Sequence, residues 1–437
     1  MTCTPRPAIQ AEQYMNDFTK NHARDAFKNR QDAFLKDTPP LPERIPAGND
    51  CSPSGVEKRR NHLRKLGCCP ESLCQDALDI PPETLKGAVE NFIGYAHIPV
   101  GVIGPLRING LFAQGDFFIP LATTEGALVA SYHRGAHVIS RNGGVTALCI
   151  SESLCRAPAF TFESILDAKC FIDWASGHLV AFKSVAATTT RHGELIAVKP
   201  TLDSNTVFLI FEFTTGDASG QNMVTVATKK ICEWIHANSP ITPKVWYVEG
   251  NRSGDKKATM LSLLSHRGRK VVAEASLRRE DVQRFLHSTP EAMVEYGRVS
   301  TLGGIQSGSI GIQGHYANAL AALFLCCGQD VACISEAAVG ITTMQVTHEG
   351  NLYTSVSLPN LTVGTVGGGT FLPGAKDCLN MLGCEGRDHA RKFAEICAST
   401  VLAGEISIIA ALASGDFAKA HATFRKKYAY PDAQTTG

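Results

Sequence analysis

Two patterns of hydrophobic and polar positions divide the chain. Apolar residues that recur on one helical face predict helices over 125–139, 280–295, 314–327 and 390–414. Between them, alternating apolar and polar residues predict strands over 179–185, 194–198 and 207–213, followed by a helix over 223–235. The arrangement predicts an α+β fold, in which a small α+β domain is inserted into a large, mainly helical domain.

The first 84 residues differ from the rest of the chain. Residues 1–37 are polar with a weak helical stripe, a proline-rich linker follows, and 56–66 predicts a short basic helix. We expect four segments: an N-terminal arm with linker and short helical region (1–84), the first part of the large domain (85–156), the inserted small domain (157–248), and a loop of candidate catalytic residues with the second part of the large domain (249–437).

The composition excludes several classes of protein. A chain of 437 residues, 44% of them hydrophobic, can bury a large core, and its net charge of +1 lacks the excess positive charge of nucleic-acid binders and membrane-surface proteins. The longest apolar stretches are too short to span a bilayer, and the N-terminus has no secretory signal. We expect a cytoplasmic protein with reduced thiols. Because its 15 cysteines include no Cys-x-x-Cys pair, we expect no metal site.

The common hydrolase, metalloprotease and P-loop signatures are missing from the sequence. The first candidate catalytic residues are therefore two carboxylates in apolar surroundings. Glu125 follows an apolar run, where desolvation would raise its pKa and suit it to act as an acid. The alternative is a residue in the first turn of a helix with Thr124 as the N-cap. Asp330 also follows an apolar run and, if buried, needs a partner such as a lysine. The alternative for Asp330 is a helix N-cap.

Other candidates lie in glycine-rich or terminal segments. Lys256 and Lys257, in a glycine-bracketed loop, could present an ammonium group to a developing oxyanion, or they could simply be solvated. The glycines of 364–370 could admit a phosphate to the backbone N–H groups, or they could form a tight turn. His421, near the C-terminus, could take part in proton transfer or be structural.

Several longer motifs occur in one order along the chain. They are found at 90–95, 98–106, 122–126, 255–257, 328–330, 364–370 and 402–405. With these motifs the chain resembles the 3-hydroxy-3-methylglutaryl-coenzyme A reductase family, specifically the eukaryotic-type catalytic region without its membrane domain, from about residue 90 to about 424. The resemblance implies that the inserted domain is a ferredoxin-like, NADP-binding domain without a Rossmann motif.

The resemblance implies four catalytic residues for the NADPH-dependent reduction of an acyl-coenzyme A thioester to mevalonate and coenzyme A. Lys256 would stabilise the oxyanion formed in the first reduction, and His421 would protonate the coenzyme A thiolate. Glu125 would supply the proton to the new alcohol, and Asp330, between Glu125 and Lys256, would hold both in their working protonation states.

The same resemblance implies binding residues and partners. The positions that match cofactor contacts are Thr190, Arg191, Asp217, Ser219, Gly220, Gln221, Asn222, Gly367, Gly368 and Gly369, and the cofactor is NADPH. The positions that match substrate or coenzyme A contacts are Arg134, Arg156, Asp255, Lys257, His315 and Asn318. A homodimer or homotetramer, with the active site between subunits, is also implied.

Some positions depart from the family pattern. Glu249 stands where the family has a substrate-binding serine, and Ile334 stands where an asparagine is usual. We expect Arg252 to neutralise Glu249, although the pocket could instead prefer a ligand without that carboxylate. These departures keep two alternatives open: a reductase of a different branched acyl-coenzyme A, and a non-catalytic paralogue that binds coenzyme A esters or statins.

Overall fold

The computed structural model describes residues 40–48, 50, 52–74, 85, 88–264 and 267–415. The chain divides into two compact units, Met1–Pro42 and Glu43–Gly437. Of the first unit only residues 40–42 are described, so the predicted polar arm, 1–37, lies outside the described residues. The fold below is that of the second unit.

The described helices and strands follow the chain in this order. The strands are β1 (Val100–Gly110), β2 (Gln114–Ala122), β3 (Val145–Arg156), β4 (Ala159–Thr161), β5 (Leu195–Asp203), β6 (Thr206–Phe213), β7 (Val245–Tyr247), β8 (Gly268–Leu277), β9 (Ile341–Val346) and β10 (Leu352–Leu361). The helices are α1 (Pro53–Lys65), α2 (Leu128–Arg141), α3 (Ile165–Ser176), α4 (Leu179–Ala187), α5 (Gln221–Asn238), α6 (Leu261–Leu264), α7 (Arg279–Leu286), α8 (Pro290–Ser307), α9 (Tyr316–Cys326), α10 (Ile334–Ala337), α11 (Pro373–Met381) and α12 (Ala390–Ser414). Short 3₁₀ turns occupy Glu71–Cys74, Val331–Cys333 and Gly368–Phe371.

A mixed sheet in the order β2-β1-β3-β8-β10-β9 forms the centre of the large part. Its neighbouring strands are antiparallel, except that β1 and β3 are parallel. The hydrophobic pattern predicted helices in this part but none of these strands. The C-terminal halves of β1 and β2 are continuously buried, and such runs lack the alternation that identifies a half-exposed strand.

The long helix α12 lies in the core of this large part. It packs against α2, α8, α9 and β8. Of the helices in the described part of the chain, only α12 is long and apolar enough to cross a membrane by length and composition, but 78% of its most apolar stretch is buried inside the protein. The core helix of a folded protein meets the same two criteria, and the burial of α12 accounts for its apolar sequence.

The small part has the order β4-α3-α4-β5-β6-α5-β7 along the chain and β7-β4-β6-β5 across its antiparallel sheet. This βαββαβ arrangement is ferredoxin-like, as predicted. It has its own hydrophobic core, formed by residues between 154 and 235. The exact domain boundaries stay a prediction.

Two predicted elements are wrong. Residues 179–185 form a helix, α4, in which the buried Phe182 and Ala186 are spaced by one helical turn. The single helix predicted over 280–295 is two helices. The chain turns at His287, where φ is +54°, and α8 begins anew with Thr289 as its N-cap, whose hydroxyl accepts from the Ala292 N–H at 3.2 Å.

Strand β3 connects the two parts and positions the site. Residues 146–153 pair with β8 in the large sheet, whereas 154–156 pair with β6 of the small part. Arg156, the last residue of β3, therefore lies at the junction. The start of β8 lies beside it, so charged residues that flank both strands meet there.

Candidate active site

Lys256 and Asp330 form an ion pair at this junction. Lys256 Nζ lies 2.8 Å from Asp330 Oδ2, and the side chains are 45% and 37% exposed, respectively. The hydrogen bond to Asp330 is the largest effect on Lys256 and raises the pKa of its ammonium group. Lys256 is therefore protonated at neutral pH, and its charge is accessible to a ligand.

The local backbone conformation orients the side chains of Lys256 and Asp330. Lys256 has φ +55°, a left-handed conformation that is uncommon for lysine and that the surrounding contacts must maintain. Asp330 also caps the turn Val331–Cys333, because its Oδ1 accepts from the Ala332 N–H at 3.0 Å. Both interpretations of Asp330 thus hold, one for each carboxylate oxygen. Asp330 is only partly buried, because the residue opens a surface turn.

Two buried arginines anchor the residue before Lys256. The Asp255 carboxylate accepts from Arg156 Nη1 at 2.5 Å and from Arg267 Nη2 at 2.7 Å. Burial tends to raise the pKa of Asp255, but Arg267 and Arg156 outweigh it, so the pKa is lowered. The side-chain oxygen of Gln221 also accepts from both arginines. Asp255, Arg156 and Gln221, predicted to bind substrate or cofactor, are thus members of one cluster.

A buried carboxylate, Glu336, lies behind this cluster. Its Oε1 is 3.6 Å from Arg267 Nε, and neither carboxylate oxygen has a hydrogen-bond partner among the described residues. Burial raises the pKa of Glu336. The cluster therefore combines two arginines with one ionised and one less acidic carboxylate.

Glu125 lies on the surface between β2 and α2. Its Oε2 accepts from Asn318 Nδ2 at 3.1 Å. In the described part of the chain, no hydrogen bond or ion pair joins it to Asp330 or Lys256. The prediction of a desolvated Glu125 is wrong for the single chain, and so is the Thr124 N-cap: α2 starts after Ala127 at φ +69°, and the Thr123 hydroxyl accepts from the Glu125 N–H at 2.9 Å.

A second buried carboxylate, Glu405, supports the start of the helix whose Asn318 contacts Glu125. Its two oxygens accept from the N–H groups of Gly314 and His315, each at 2.7 Å, and from Thr342 Oγ1 at 2.7 Å. His315 Nδ1 lies 3.5 Å from Glu405 Oε1, and the Tyr132 ring stacks on His315. Because α9 begins directly after His315, Glu405 fixes the start of the helix that carries Asn318.

Glu249 faces the arginine cluster. Its Oε2 is 3.6 Å from Arg156 Nη1, and its side chain is 28% exposed. Arg252, the neutralising partner that we expected, makes no ion pair among the described residues. That expectation is wrong because Arg156, at the end of β3, lies next to Glu249. Sequence spacing alone does not indicate this contact.

The two predicted cofactor segments contact each other. The backbone oxygen of Asp217 accepts from the Thr365 N–H at 2.8 Å, and Ala218 bridges to Val366. A Cβ atom on Gly364 would come within 2.5 Å of the Ser219 nitrogen. Gly369 packs against Gly328, two residues before Asp330, so the glycine segment extends from the small part to the turn that Asp330 caps.

The start of α5 directly follows the first of these two cofactor segments. Gly220 precedes the helix at φ +81°, and no side chain caps the first N–H groups of the helix. Asn222 is exposed in its first turn. Thr190 lies close by, since its hydroxyl is 3.1 Å from Met223 Sδ, and the exposed Arg191 follows Thr190. Arg191 has no hydrogen-bond or ion-pair partner among the described residues, so its guanidinium is available to a ligand.

The remaining predicted site residues do not contact the Lys256–Asp330 pair through any hydrogen bond or ion pair between described residues. Lys257 is exposed, and its Nζ donates to the Asp255 carbonyl at 3.0 Å. Arg134, on α2, donates to the Ser407 hydroxyl and carbonyl at 3.0 and 2.7 Å. Gly367 and Gly368 have positive φ, and a Cβ on either would meet open space. His421 lies outside the described residues, which end at 415.

The sequence patterns gave no role to three residues of the site, Arg267, Glu336 and Glu405. Arg267 was detectable, because it directly precedes β8, and with Arg269 and Lys270 it adjoins the apolar run 271–273. Glu405 lies in the motif at 402–405, in the middle of an apolar helix, where a buried carboxylate requires donors. Glu336 also lies in a largely apolar segment, 331–339, so its sequence context gave a comparable signal.

Comparison with known proteins places this architecture in a family. The sequence matches the hydroxymethylglutaryl-coenzyme A reductase family over residues 55–426. The 3-hydroxy-3-methylglutaryl-coenzyme A reductase of Methanocaldococcus jannaschii is 44% identical over 372 residues, which cover 84% of this chain and 91% of that protein. The enzyme of the same name from Pyrococcus abyssi is 43% identical, with coverage of 84% and 91%.

A more distant relative and a solved structure extend the comparison. The reductase 1 of Dictyostelium discoideum is 36% identical and is covered over 69% of its length. The solved structure of the class II reductase from Streptococcus pneumoniae bound to NADPH has the same fold, with a TM-score of 0.67, 18% identity, and coverage of 82% of this chain and 96% of that one. The match to the eukaryotic type in particular stays a prediction. The chain belongs to the hydroxymethylglutaryl-coenzyme A reductase family, as its motifs predict.

Proposed function

We propose that this protein reduces 3-hydroxy-3-methylglutaryl-coenzyme A to mevalonate and coenzyme A, with consumption of two NADPH. The observation that carries the proposal is the Lys256–Asp330 pair, 2.8 Å apart and accessible, in a member of this family. A thioester reduction develops negative charge on the carbonyl oxygen, and a fixed ammonium group stabilises that charge.

The residues present fit NADPH. The uncapped start of α5 offers N–H donors and a positive helix end to a pyrophosphate. Gly220 permits this geometry, since a Cβ there would come within 2.2 Å of the Thr215 side chain. Asp217–Asn222 and Gly367–Gly369 would hold the pyrophosphate side, and Thr190 with Arg191 would hold the 2′-phosphate. When bound, NADPH supplies the hydride for each of the two reductions.

Lys256 and Asp330 act as one unit in both reductions. Asp330 keeps Lys256 protonated and orients its ammonium group toward the substrate carbonyl. Lys256 then stabilises the hemithioacetal oxyanion of the first reduction and the developing alkoxide of the second. Asp255, held by Arg156 and Arg267, fixes the backbone from which Lys256 projects.

Proton transfer is divided between two other residues. Glu125 donates to the new alcohol oxygen when mevaldehyde is reduced, and Asn318 orients its carboxylate. His421 protonates the departing coenzyme A thiolate. The exposure of Glu125 agrees with a site that a second subunit completes, because closure by that subunit would desolvate the carboxylate.

We infer a homodimer or homotetramer. Apolar side chains project from the segment 88–100 and from α8: Ile93 is fully exposed, and Ile305 is 68% exposed. Val299 and Leu302 of α8 are each about half exposed. Such surfaces are typical of subunit interfaces. Size-exclusion chromatography with light scattering should give at least twice the mass of one chain, and a monomer at micromolar concentration would contradict the inference.

We also infer a cytoplasmic location. The 13 cysteines of the described residues are free thiols, as in a reducing compartment. Imaging of a fluorescent fusion tests the location, and a membrane-bound or secreted signal would contradict it.

A single assay separates the possible activities. Purified protein is mixed with NADPH and either 3-hydroxy-3-methylglutaryl-coenzyme A or another branched acyl-coenzyme A, and NADPH oxidation is followed by absorbance. The proposal predicts turnover with the first ester. Turnover with another ester alone would select a different reductase, and binding without turnover would select a non-catalytic paralogue.

Arg191 should determine the choice between NADPH and NADH. We expect Arg191→Ala to raise KM for NADPH about 10- to 100-fold, because a charge-assisted contact to phosphate contributes about 1.5–3 kcal/mol. KM for NADH should hardly change. Lys183→Ala, an exposed cation on α4, is the control. An equal increase for both cofactors would assign Arg191 a structural role.

Glu249 should weaken substrate binding. We expect Glu249→Ser and Glu249→Gln to lower KM for the substrate about two- to fivefold with little change in kcat, because each frees Arg156 from an ion pair worth about 0.5–1 kcal/mol. Glu163→Ser, which removes an exposed glutamate that pairs with Lys244, is the matched control. If KM of neither Glu249 variant moves by about twofold, Glu249 does not face the substrate.

A further inference from the structure

A second cluster of reactive side chains lies far along the chain from the catalytic loop, directly after α1. The sulfur atoms of Cys69 and Cys74 are 3.7 Å apart. One carboxylate oxygen of Glu71 joins them, so that the three atoms lie within 4.8 Å of one another. The two cysteines are half-buried and Glu71 is exposed, so an ion from solvent can reach the cluster.

The spacing of the two sulfurs suits a tetrahedral metal ion. Two thiolates bound to Zn²⁺ at about 2.3 Å, with a tetrahedral angle between them, are about 3.8 Å apart. A carboxylate oxygen bonds the same ion at about 2.0–2.2 Å. The distance between the two sulfurs is therefore already close to the value that a shared ion requires.

The backbone of the segment is fixed from outside the cluster. The Ser72 N–H donates to Asp377 Oδ2 on α11 at 2.8 Å, and the Leu73 side chain packs beside Gly374 of the same helix. Cys74 Sγ also lies 3.6 Å from the Pro70 carbonyl oxygen. A ligand set held in this way loses little conformational entropy when it binds an ion.

Arg64 orients the carboxylate. Its Nε and Nη2 atoms donate to the two oxygens of Glu71, at 3.0 and 3.1 Å. An ionised carboxylate offers about four lone-pair sites, so these two hydrogen bonds leave sites for an ion. Ligating carboxylates in metal centres are commonly hydrogen-bonded in this way.

We propose that Cys69, Glu71 and Cys74 bind one thiophilic divalent cation, with Zn²⁺ as the best match and water in the fourth position. Two thiolates select such ions over Mg²⁺ and Ca²⁺, which prefer oxygen ligands. Binding releases the two thiol protons. The absence of Cys-x-x-Cys argued against a metal site, but here the cysteines are five positions apart and a turn brings them together. The proposal does not depend on the reductase activity.

The ion would rigidify residues 69–74, because all three of its ligands lie within this segment. The segment contacts α11, and α11 follows the glycine turn Gly368–Phe371 almost directly. We expect the ion to raise the thermal stability of the protein and to leave the chemical step unchanged, since none of its ligands contacts the Lys256–Asp330 pair.

Co²⁺ provides the test, because its thiolate complexes absorb in the near ultraviolet and zinc displaces it. The full chain, stripped with a chelator and kept reduced with a phosphine, is titrated with Co²⁺. Cys69→Ser, Cys74→Ser and their double variant are compared with Cys170→Ser, which removes an exposed cysteine outside the cluster. The proposal predicts one equivalent of Co²⁺, a thiolate band, its loss on addition of Zn²⁺, and a Zn²⁺-dependent rise in Tm.

The variants decide the assignment. The double variant should lose the band and the Tm response, whereas Cys170→Ser should retain both. No thiolate band in the reduced wild-type protein would overturn the proposal, and so would an unchanged band in the double variant. If the wild type gives no band and instead loses two titratable thiols on mild oxidation, the pair forms a disulfide and the metal proposal is wrong.

Discussion

Replacing Lys256 with alanine should lower kcat for the overall reduction by about 10²- to 10³-fold, the usual effect of removing one oxyanion stabiliser. The ammonium group of Lys256 is held 2.8 Å from Asp330 and stays protonated, so its charge is present when the oxyanion develops. Alanine leaves no cation at that position. The measurement is kcat under saturating NADPH and substrate, with circular dichroism to verify folding.

The control is Lys270→Ala, which removes an exposed lysine from β8 and should leave kcat unchanged. Dissociation constants for NADPH should agree between Lys256→Ala and the wild type, because the proposed role is charge stabilisation in the reaction. If Lys256→Ala retains more than about a tenth of the wild-type kcat, Lys256 does not stabilise the oxyanion.

Replacing Glu405 with glutamine should lower kcat about 10- to 100-fold through geometry, because small displacements of reacting groups cost that much. Glutamine supplies one oxygen where the carboxylate supplies two. At least one of the N–H groups of Gly314 and His315, or the Thr342 hydroxyl, then loses its partner. The start of α9 would shift, and with it His315 and the Asn318 amide that orients Glu125. Loss of a buried acceptor should also lower the free energy of unfolding by about 1–3 kcal/mol.

Glu395 offers a matched control on the same helix, α12. It is buried like Glu405, and its carboxylate also accepts from backbone N–H groups, those of Phe112, Ala113 and Cys149, at 2.8, 2.8 and 2.9 Å. Glu395→Gln should therefore destabilise the protein by a similar amount while preserving kcat well below Tm. If both variants lose stability and activity in equal measure, Glu405 is structural only.

The helices and the inserted domain were predictable because their patterns are strong. The helix predicted over 390–414 has the same bounds in the structure. The patterns of β5, β6 and α5 predicted a small α+β domain, and the family resemblance implied its ferredoxin-like order. The central sheet was not predictable, since the buried halves of β1 and β2 show no alternation. The strand predicted over 179–185 was wrong, because a short apolar run fits the period of a strand as well as that of a helix. The segment forms a helix that buries Phe182 and Ala186 on one face.

The candidate site was predictable in its parts but not in its connections. Sequence motifs indicated Lys256 and Asp330, and the structure places them in contact. No motif indicated that Arg267, eleven residues beyond Lys256, would share Asp255 with Arg156. That contact depends on the pairing of β3 with β8, and strand pairing between distant segments cannot be read from local periodicity. The prediction that Arg252 pairs with Glu249 was wrong for the same reason.

The stoichiometry of one complete turnover tests the proposed reaction most directly. Purified protein with limiting 3-hydroxy-3-methylglutaryl-coenzyme A and excess NADPH is followed by absorbance, while the released coenzyme A thiol is titrated and the product is identified by mass spectrometry. A four-electron reduction predicts two NADPH oxidised for each thiol released, with mevalonate as the product. Thiol release without NADPH oxidation, or one NADPH per thiol with an aldehyde product, would contradict the proposed function.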